Sequence, residues 1–359
     1  MKKVVYLLGA GAIKGEMSHQ GIESDITMKG IGENVLKLSE EKSGEYWKIH
    51  ENFSLPEDQD IELMMSLLEG FTEEESYSFK HVCDELRQLF RIYLIKQIIG
   101  KGVSPQIHSS LFHLHKNYGS YMGQAGEEVI GVLTINYDSV LDEAFHTVYQ
   151  GINYGYKFES DTYQSNEDIP PLLKLHGSFN WKVEGEKLIV SRNFENADYE
   201  DDYTGWIPPS VYKKPPGTVL PQIWDKAAEL LIDCDVCRAV GCSLRNEDFA
   251  LLSLIFTSQL NSQIKNGKVF PIELIVPDRV ALGEEHALQD AEPLVGIMQR
   301  LKFLGKVHNF SRLPVFQEES YIAENVFYSW VLMKLREIEL SRRGSIDDDF
   351  INRKLLKEV

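Results

Sequence analysis

An α/β fold with a doubly wound parallel sheet is what the sequence predicts, and three observations carry it. Short, largely apolar runs recur at Val4–Leu8, Val129–Ile135, Leu172–Leu175, Val236–Val240, Ile272–Val276 and around Val307. Runs without polar alternation belong to strands covered on both faces, as in a parallel sheet. The segments between them are helical in period or looped, and strands alternating with helices wind a parallel sheet. Finally, the first run passes directly into Gly9-Ala10-Gly11-Ala12, at the place where such a sheet brings its backbone close to a phosphate.

Taken in order, Val4–Leu8 is the first strand of this Rossmann-like domain. With Met1-Lys2-Lys3 before it and Ala10-Gly11-Ala12 after it, the segment imitates a secretion signal. The strand-then-glycine reading explains the same residues better. From Ile13 to Gly32 the chain is polar and holds Gly15, Gly21, Gly30 and Gly32, so it reads as a long loop, the kind that closes over ligands. Helical period follows, clearest in Phe79, Val82, Cys83, Leu86, Leu89, Phe90, Tyr93, Leu94 and Ile98. Ile61, Met64, Met65 and Leu68 begin another helix, capped by Asp58 or Asp60, and Ile107–Tyr118 is a third. The organisation expected is a nucleotide-binding domain from residues 1–32 and 127–315, an inserted helical subdomain over 33–126, and a C-terminal helix and acidic tail over 316–359. Asp198–Pro221 holds five of the 13 prolines and reads as an extended excursion. The last helix, Glu318–Arg343, has an apolar stripe through Ile322, Val326, Phe327, Trp330 and Leu335.

Composition narrows the function classes. In 359 residues, 43% hydrophobic and 26% charged content closes a core and excludes disorder. A net charge of −18 repels phosphate backbones, so direct nucleic-acid binding is not expected. No run approaches the ~20 apolar residues that span a bilayer. The four cysteines, Cys83, Cys234, Cys237 and Cys242, are too few for a secreted disulfide framework and point to a reducing, cytoplasmic compartment.

Chemistry-bearing residues fall at strand ends, where ligands sit in such sheets. The second strand ends in Thr134-Ile135-Asn136-Tyr137-Asp138 and the third in Lys174-Leu175-His176-Gly177-Ser178. A histidine in that position is placed to act as a general base. A further edge carries Gly241-Cys242-Ser243-Leu244, and the next supplies Asp278, a carboxylate where a ribose hydroxyl is often held.

In this order these segments resemble the sirtuin-like superfamily, which shares a glycine-alanine-glycine loop, a Thr-x-Asn-x-Asp strand end, a His-Gly, a Gly-x-Ser and a late acidic or amide residue. The resemblance spans about residues 3–312. The Thr-x-Asn-Tyr-Asp and Lys-Leu-His-Gly-Ser forms, with a helical insertion, look like the prokaryotic members that destroy NAD in antiviral defence. The resemblance implies NAD as substrate and cleavage of its nicotinamide–ribose bond. It implies that Asn136 holds the ribose hydroxyl or the attacking water, that His176 takes the proton, and that Asp138 shapes the pocket. It further implies that Gly9, Ala10, Gly11 and Ala12 cradle the pyrophosphate, that Gly241 and Ser243 support the adenosine side with Thr134 among the nucleotide's contacts, and that Asp278 accepts from the adenine ribose. Relatives of this architecture imply a homo-oligomer joined by a partner chain, such as a HerA-type ATPase, a short Argonaute or another defence protein.

The chain also departs from the protein-deacylating sirtuins. They carry a zinc ribbon with two C-x-x-C pairs, whereas Cys234-Asp235-Val236-Cys237 stands alone here, short of the four ligands a tetrahedral zinc site takes. No metal is therefore expected. The alternatives are a protein deacylase using the same histidine and a non-catalytic nucleotide-binding regulatory subunit.

Overall fold

The computed structural model describes residues 1–23, 25–26, 28–53, 60–69, 77–191, 205–210, 217–242, 244, 248–275 and 326–343. Its strands are β1 (Lys2–Leu8), β2 (Glu127–Thr134), β3 (Phe158–Ser160), β4 (Leu172–Lys174), β5 (Trp181–Glu184), β6 (Lys187–Val190), β7 (Val236–Val240) and β8 (Ile272–Ile275). Its helices are α1 (Ala10–His19), α2 (Met28–Glu41), α3 (Glu45–Phe53), α4 (Ile61–Glu69), α5 (Tyr77–Ile98), α6 (Gln106–Tyr118), α7 (Val140–Tyr149), α8 (Val219–Asp233), α9 (Phe249–Asn266) and α10 (Val326–Arg343).

Five strands form one sheet in the order β4-β2-β1-β7-β8, and every pairing is parallel. Read in chain order this is 3-2-1-4-5, the doubly wound Rossmann arrangement, with its reversal between β1 and β7. Val4–Leu8 and Val236–Val240 are buried throughout, which is why they lack polar alternation. A second, three-stranded sheet runs β3-β6-β5. Its strands have only three or four residues, too short to show a period in the sequence.

Alternate residues of β1 face different helices. On one side Tyr6 meets Trp330 of α10 edge to face, and α10 packs with α1 and α6, and α6 with α7. On the other, Gly131, which pairs with Val5, leaves room for Leu230 of α8, which packs with α9. The C-terminal helix is therefore a core element: Phe327, Trp330, Val331, Leu335 and Ile338 are buried. Ile322, the tail and the strand expected at Val307 lie outside the described residues, as does most of Asp198–Pro221.

Beneath α10 the amino half of the sheet buries a polar cluster. Arg238 of β7 donates from Nη1 and Nη2 to the two Glu127 oxygens, each at 2.6 Å, and from Nε to Glu273 at 2.7 Å. The Tyr6 hydroxyl lies 2.7 Å from His115 Nε2, and the Arg238 guanidinium stands 5.6 Å from the Trp330 ring centre. Burial alone would raise the Glu127 carboxyl, but Arg238 outweighs it and holds it down to about 2. Burial also depresses His115 to about 3, so its ring is neutral.

One expectation is overturned. Ile13–Gly32 is not a single loop, because α1 runs to His19 and α2 begins at Met28. The glycines misled, and α1 has no amphipathic stripe to reveal it, since Ala12, Ile13, Gly15, Glu16 and Met17 are all buried. Tertiary contact holds it instead: Glu16 Oε1 accepts from the His108 amide at 2.8 Å and lies 2.7 Å from His108 Nδ1. The helical region also divides. Ile107, Leu111, Phe112 and Leu114 of α6 join the sheet's core, while α2–α5 close a second core with Ile13, Met17, Tyr137, Val140 and Phe179. That second core sits on the carboxyl edge of the sheet.

Candidate functional site

The reversal of strand order opens a crevice between the ends of β1 and β7, and glycines set its width. A Cβ on Gly9 would stand 2.6 Å from the Gly241 carbonyl oxygen, and one on Gly11 2.7 Å from Gly241 Cα. Gly241 itself has φ +58°, and its Cβ would fall 2.2 Å from the Ala12 nitrogen. The two strand ends thus touch backbone to backbone, closer than any side chain permits. Amides of this loop are engaged within the protein: Gly9 N donates to Val240 at 3.0 Å, Gly11 N to Gly241 at 2.9 Å and Ala12 N to Gly9 at 3.0 Å. Ala10 and Gly11 are the exposed pair, at the positive end of the α1 dipole.

Asn136 is tied to the same loop. Its Nδ2 donates to the Gly9 carbonyl at 3.1 Å, while its backbone N–H donates to Thr134 Oγ1 at 3.1 Å. Thr134 in turn donates from Oγ1 to Leu8 at 2.9 Å. Thr134 therefore stitches β2 to β1, and Asn136 is the side chain that reaches the crevice.

Asp138 has a different task. Its Oδ1 accepts from the Val140 amide at 2.9 Å, satisfying a donor in the first turn of α7. Burial raises its carboxyl above the usual range, against the pull of Lys174.

His176 is buried at the end of β4, and its carbonyl accepts from the Ile207 amide at 2.8 Å. Gly177 follows at φ +70°, where a Cβ would lie 1.9 Å from the Gly205 oxygen. Only glycine fits this turn, and the turn fixes where His176 stands. The imidazole lies 5.8 Å from the Tyr137 ring, which stacks on Phe179 at 5.1 Å and meets Trp206 and Phe90 edge-on. Burial pushes the Tyr137 hydroxyl far up, with the Glu62 and Asp248 carboxylates adding to the shift. From α5, Arg91 Nη2 donates to the Phe179 carbonyl at 2.9 Å. The helical block thus clamps the histidine turn.

Beneath these groups lies a network that sequence reasoning did not assign. Lys174 is fully buried, and its three ammonium donors are all used: on Asp142 Oδ2 at 2.7 Å, the Asp138 carbonyl at 2.5 Å and Ser178 Oγ at 2.6 Å. Asp142 also accepts from the Tyr154 hydroxyl. One cation thereby locks the Asn136–Asp138 segment to the His176–Ser178 turn. The signal was present, because a lysine inside an apolar strand demands a buried partner.

Ser243 and Asp278 lie outside the described residues. All four cysteines are buried thiols. Burial raises Cys234 to about 12 and lifts Cys237 far above its ordinary range. Among the described residues no group of three or more His, Cys, Asp or Glu side chains is placed to hold a metal ion, and no helix is long and apolar enough to cross a membrane.

A parallel 3-2-1-4-5 sheet with polar side chains gathered at its carboxyl edge, where such sheets hold ligands, defines a doubly wound α/β protein. Within that class the chain is similar to the sirtuin-like family: the family model described as the SIR2-like domain matches residues 131–291. Among solved structures it is similar to a Sir2 homologue in complex with NAD, at 14% identity over 84% of this chain and 91% of that one, with a TM-score of 0.37. It is likewise similar to a Sir2 protein bound to a propionylated peptide, at 15% identity over 82% of this chain and 93% of that one, with a TM-score of 0.33. No curated protein matches it.

Proposed function

We propose that this protein consumes NAD, breaking the nicotinamide–ribose bond with water as acceptor, and serves as a regulated NAD-depleting effector of antiviral defence. The observation that carries the reaction is that Asn136 and His176 follow adjacent strands, β2 and β4, at the carboxyl edge of the sheet, with Asn136 bonded to the Gly9 loop and the His176 carbonyl to the Ile207 amide. The family resemblance of the two strand ends supports the substrate and the defence role.

The chemistry follows from those positions. Loss of neutral nicotinamide leaves positive charge on the ribose, as in glycoside cleavage. Because Asn136 Nδ2 is bound to the Gly9 carbonyl, its Oδ1 is the end left to orient a water or a ribose hydroxyl. His176 takes the proton that water releases as its oxygen bonds to the ribose carbon. Exposed Ala10 and Gly11, at the α1 N-terminus, receive the pyrophosphate. Asp138 shapes the pocket by accepting from the Val140 amide at the start of α7. Thr134 supports the loop from behind, and Gly241, Ser243 and Asp278 serve the adenosine side.

Purified protein incubated with NAD is expected to release nicotinamide without any peptide. His176→Ala and Asn136→Ala are expected to lower the rate by roughly 10²–10⁴-fold, the usual share of a positioned acid–base group, while far-ultraviolet circular dichroism stays unchanged. Release only when an acetyl-lysine peptide is added would assign deacylation instead. Undiminished release in both variants would overturn the assignment of the site.

A further inference from the structure

The ladder between β2 and β4 stops where the chemistry starts. Its last register pair is Thr134 with Lys174, and the Leu175 amide, donating to the Thr134 carbonyl at 2.8 Å, adds one bond more. Asn136 and His176 stand past that point, on two turns that the strand pairing no longer joins. The turns are fastened instead at the Tyr137 and Asp138 carbonyls. The Tyr137 carbonyl accepts from the Phe179 amide at 3.0 Å and from Ser178 Oγ at 2.9 Å, and the Asp138 carbonyl accepts from Lys174 Nζ. Because the Ser178 hydroxyl gives its proton to Tyr137, it accepts from Lys174 at 2.6 Å, so the ammonium holds both turns at once. Asp142 of α7 anchors the ammonium and accepts from the Tyr154 hydroxyl on its other oxygen. Lys174, Ser178, Asp142 and Tyr154 are all fully buried, so water is not at hand to replace a lost bond.

We infer that Lys174 is a positioning residue for the cleavage: its ammonium sets the spacing between Asn136 and His176, and turnover depends on that spacing separately from the stability of the fold. The inference rests on the hydrolysis reading, in which Asn136 orients the water and His176 takes its proton. His176 lies between Lys174 and Ser178 in the chain, and Asn136 immediately precedes Tyr137. Each reacting side chain therefore moves with a residue of the lock. A displacement of about 1 Å between groups that must meet one substrate costs roughly 10²-fold in rate.

Lys174→Met alone strands the Asp142 carboxylate and destabilises the fold. The test therefore combines it with Asp142→Asn, which removes both charges and keeps an oxygen for Tyr154. This double variant is expected to regain most of the melting temperature that Lys174→Met loses. Its kcat for nicotinamide release is nevertheless expected to stay about 10²-fold below that of the wild type, with KM for NAD within a few-fold, because the glycine loop is untouched. A kcat that returns together with the melting temperature would make Lys174 structural only and overturn the inference, as would a loss confined to KM. Should the double variant not fold, Ser178→Ala decides, since it keeps the Lys174–Asp142 pair and cuts the ammonium's bond to the histidine turn; a kcat equal to the wild type's overturns the inference. Amide exchange gives a readout apart from turnover. In the double variant the Phe179 amide, whose bond to Tyr137 spans the two turns, is expected to exchange roughly tenfold faster, and the Val132 amide, bonded to Pro171 inside the sheet, at its former rate. A wild type that releases no nicotinamide removes the hydrolysis reading, and the lock is then judged by exchange: a Phe179 amide as slow in the variant as in the wild type overturns it.

Discussion

At the amino half of the sheet, Arg238 binds Glu127 with two bonds and Glu273 with a third, and Trp330 closes over it. At the carboxyl edge, Asn136 holds the glycine loop by a single bond, and the charge that organises the site, Lys174, sits one layer below it. Both ends bury ions, yet only one leaves polar side chains beside a crevice. Full pairing makes a buried network a fastening, whereas chemistry needs a group that is positioned and still able to exchange partners.

The sharpest way to break this contrast is Arg238→Met, which takes the guanidinium from Glu127 and leaves Glu273 only Lys2, at 3.5 Å. Removing one partner of a buried ion pair costs about 3–5 kcal/mol, to be read by urea unfolding. Adding Glu127→Leu to that variant is expected to recover part of the loss, because an apolar pair tolerates burial where a lone carboxylate does not. A full 3–5 kcal/mol loss that the second substitution fails to relieve would show that packing of Arg238, not its charge, matters.

Acid distinguishes the two ends by sign. Glu127 titrates near 2 in the folded protein against 4.5 in its absence, so its stabilisation is complete above pH 4.5 and disappears as pH falls toward 2. His115, depressed to about 3, binds a proton only on unfolding between pH 6.5 and 3, which removes stability over that window. Asp138 works the other way: its raised carboxyl lets the folded state keep a proton the unfolded state has lost, so its part of the stability falls as pH rises above 3.8. Melting temperature followed from pH 7 to 3 is expected to drop, and His115→Phe to flatten the upper half of that drop.

Asp138→Asn is the mildest test. Asparagine keeps the Oδ1 that accepts from the Val140 amide, so stability at pH 7 is expected to change by under ~1 kcal/mol. If Asp138 only shapes the pocket, nicotinamide release stays within a few-fold of the wild type. A loss as large as that of His176→Ala would move Asp138 into the proton transfer itself.

The strands were legible because burial on both faces leaves apolar runs with few polar breaks, and β7 appears where Val236–Val240 reads in sequence. The strand-end motifs were legible because glycine and polar residues interrupt those runs at once. Hidden from the sequence was α1, whose buried faces carry no period, and the allegiance of α6 to the sheet rather than to the helical block. Also hidden was the use of Gly9, Gly11 and Gly241, which pack against one another before any ligand arrives.

The sequence by itself determined the doubly wound sheet and that Asn136, Asp138 and His176 follow strand ends at its carboxyl edge, since period and strand ends are local properties of the chain. Only the tertiary structure decided that Lys174 would bind Asp142, Ser178 and the Asp138 carbonyl, that Arg238 would bind Glu127 and Glu273, and that α9 would turn an apolar face outward. Those pairings join residues 32 to 111 positions apart, apart from Ser178. A contact across such separation is set by how the layers stack, not by any pattern along the chain.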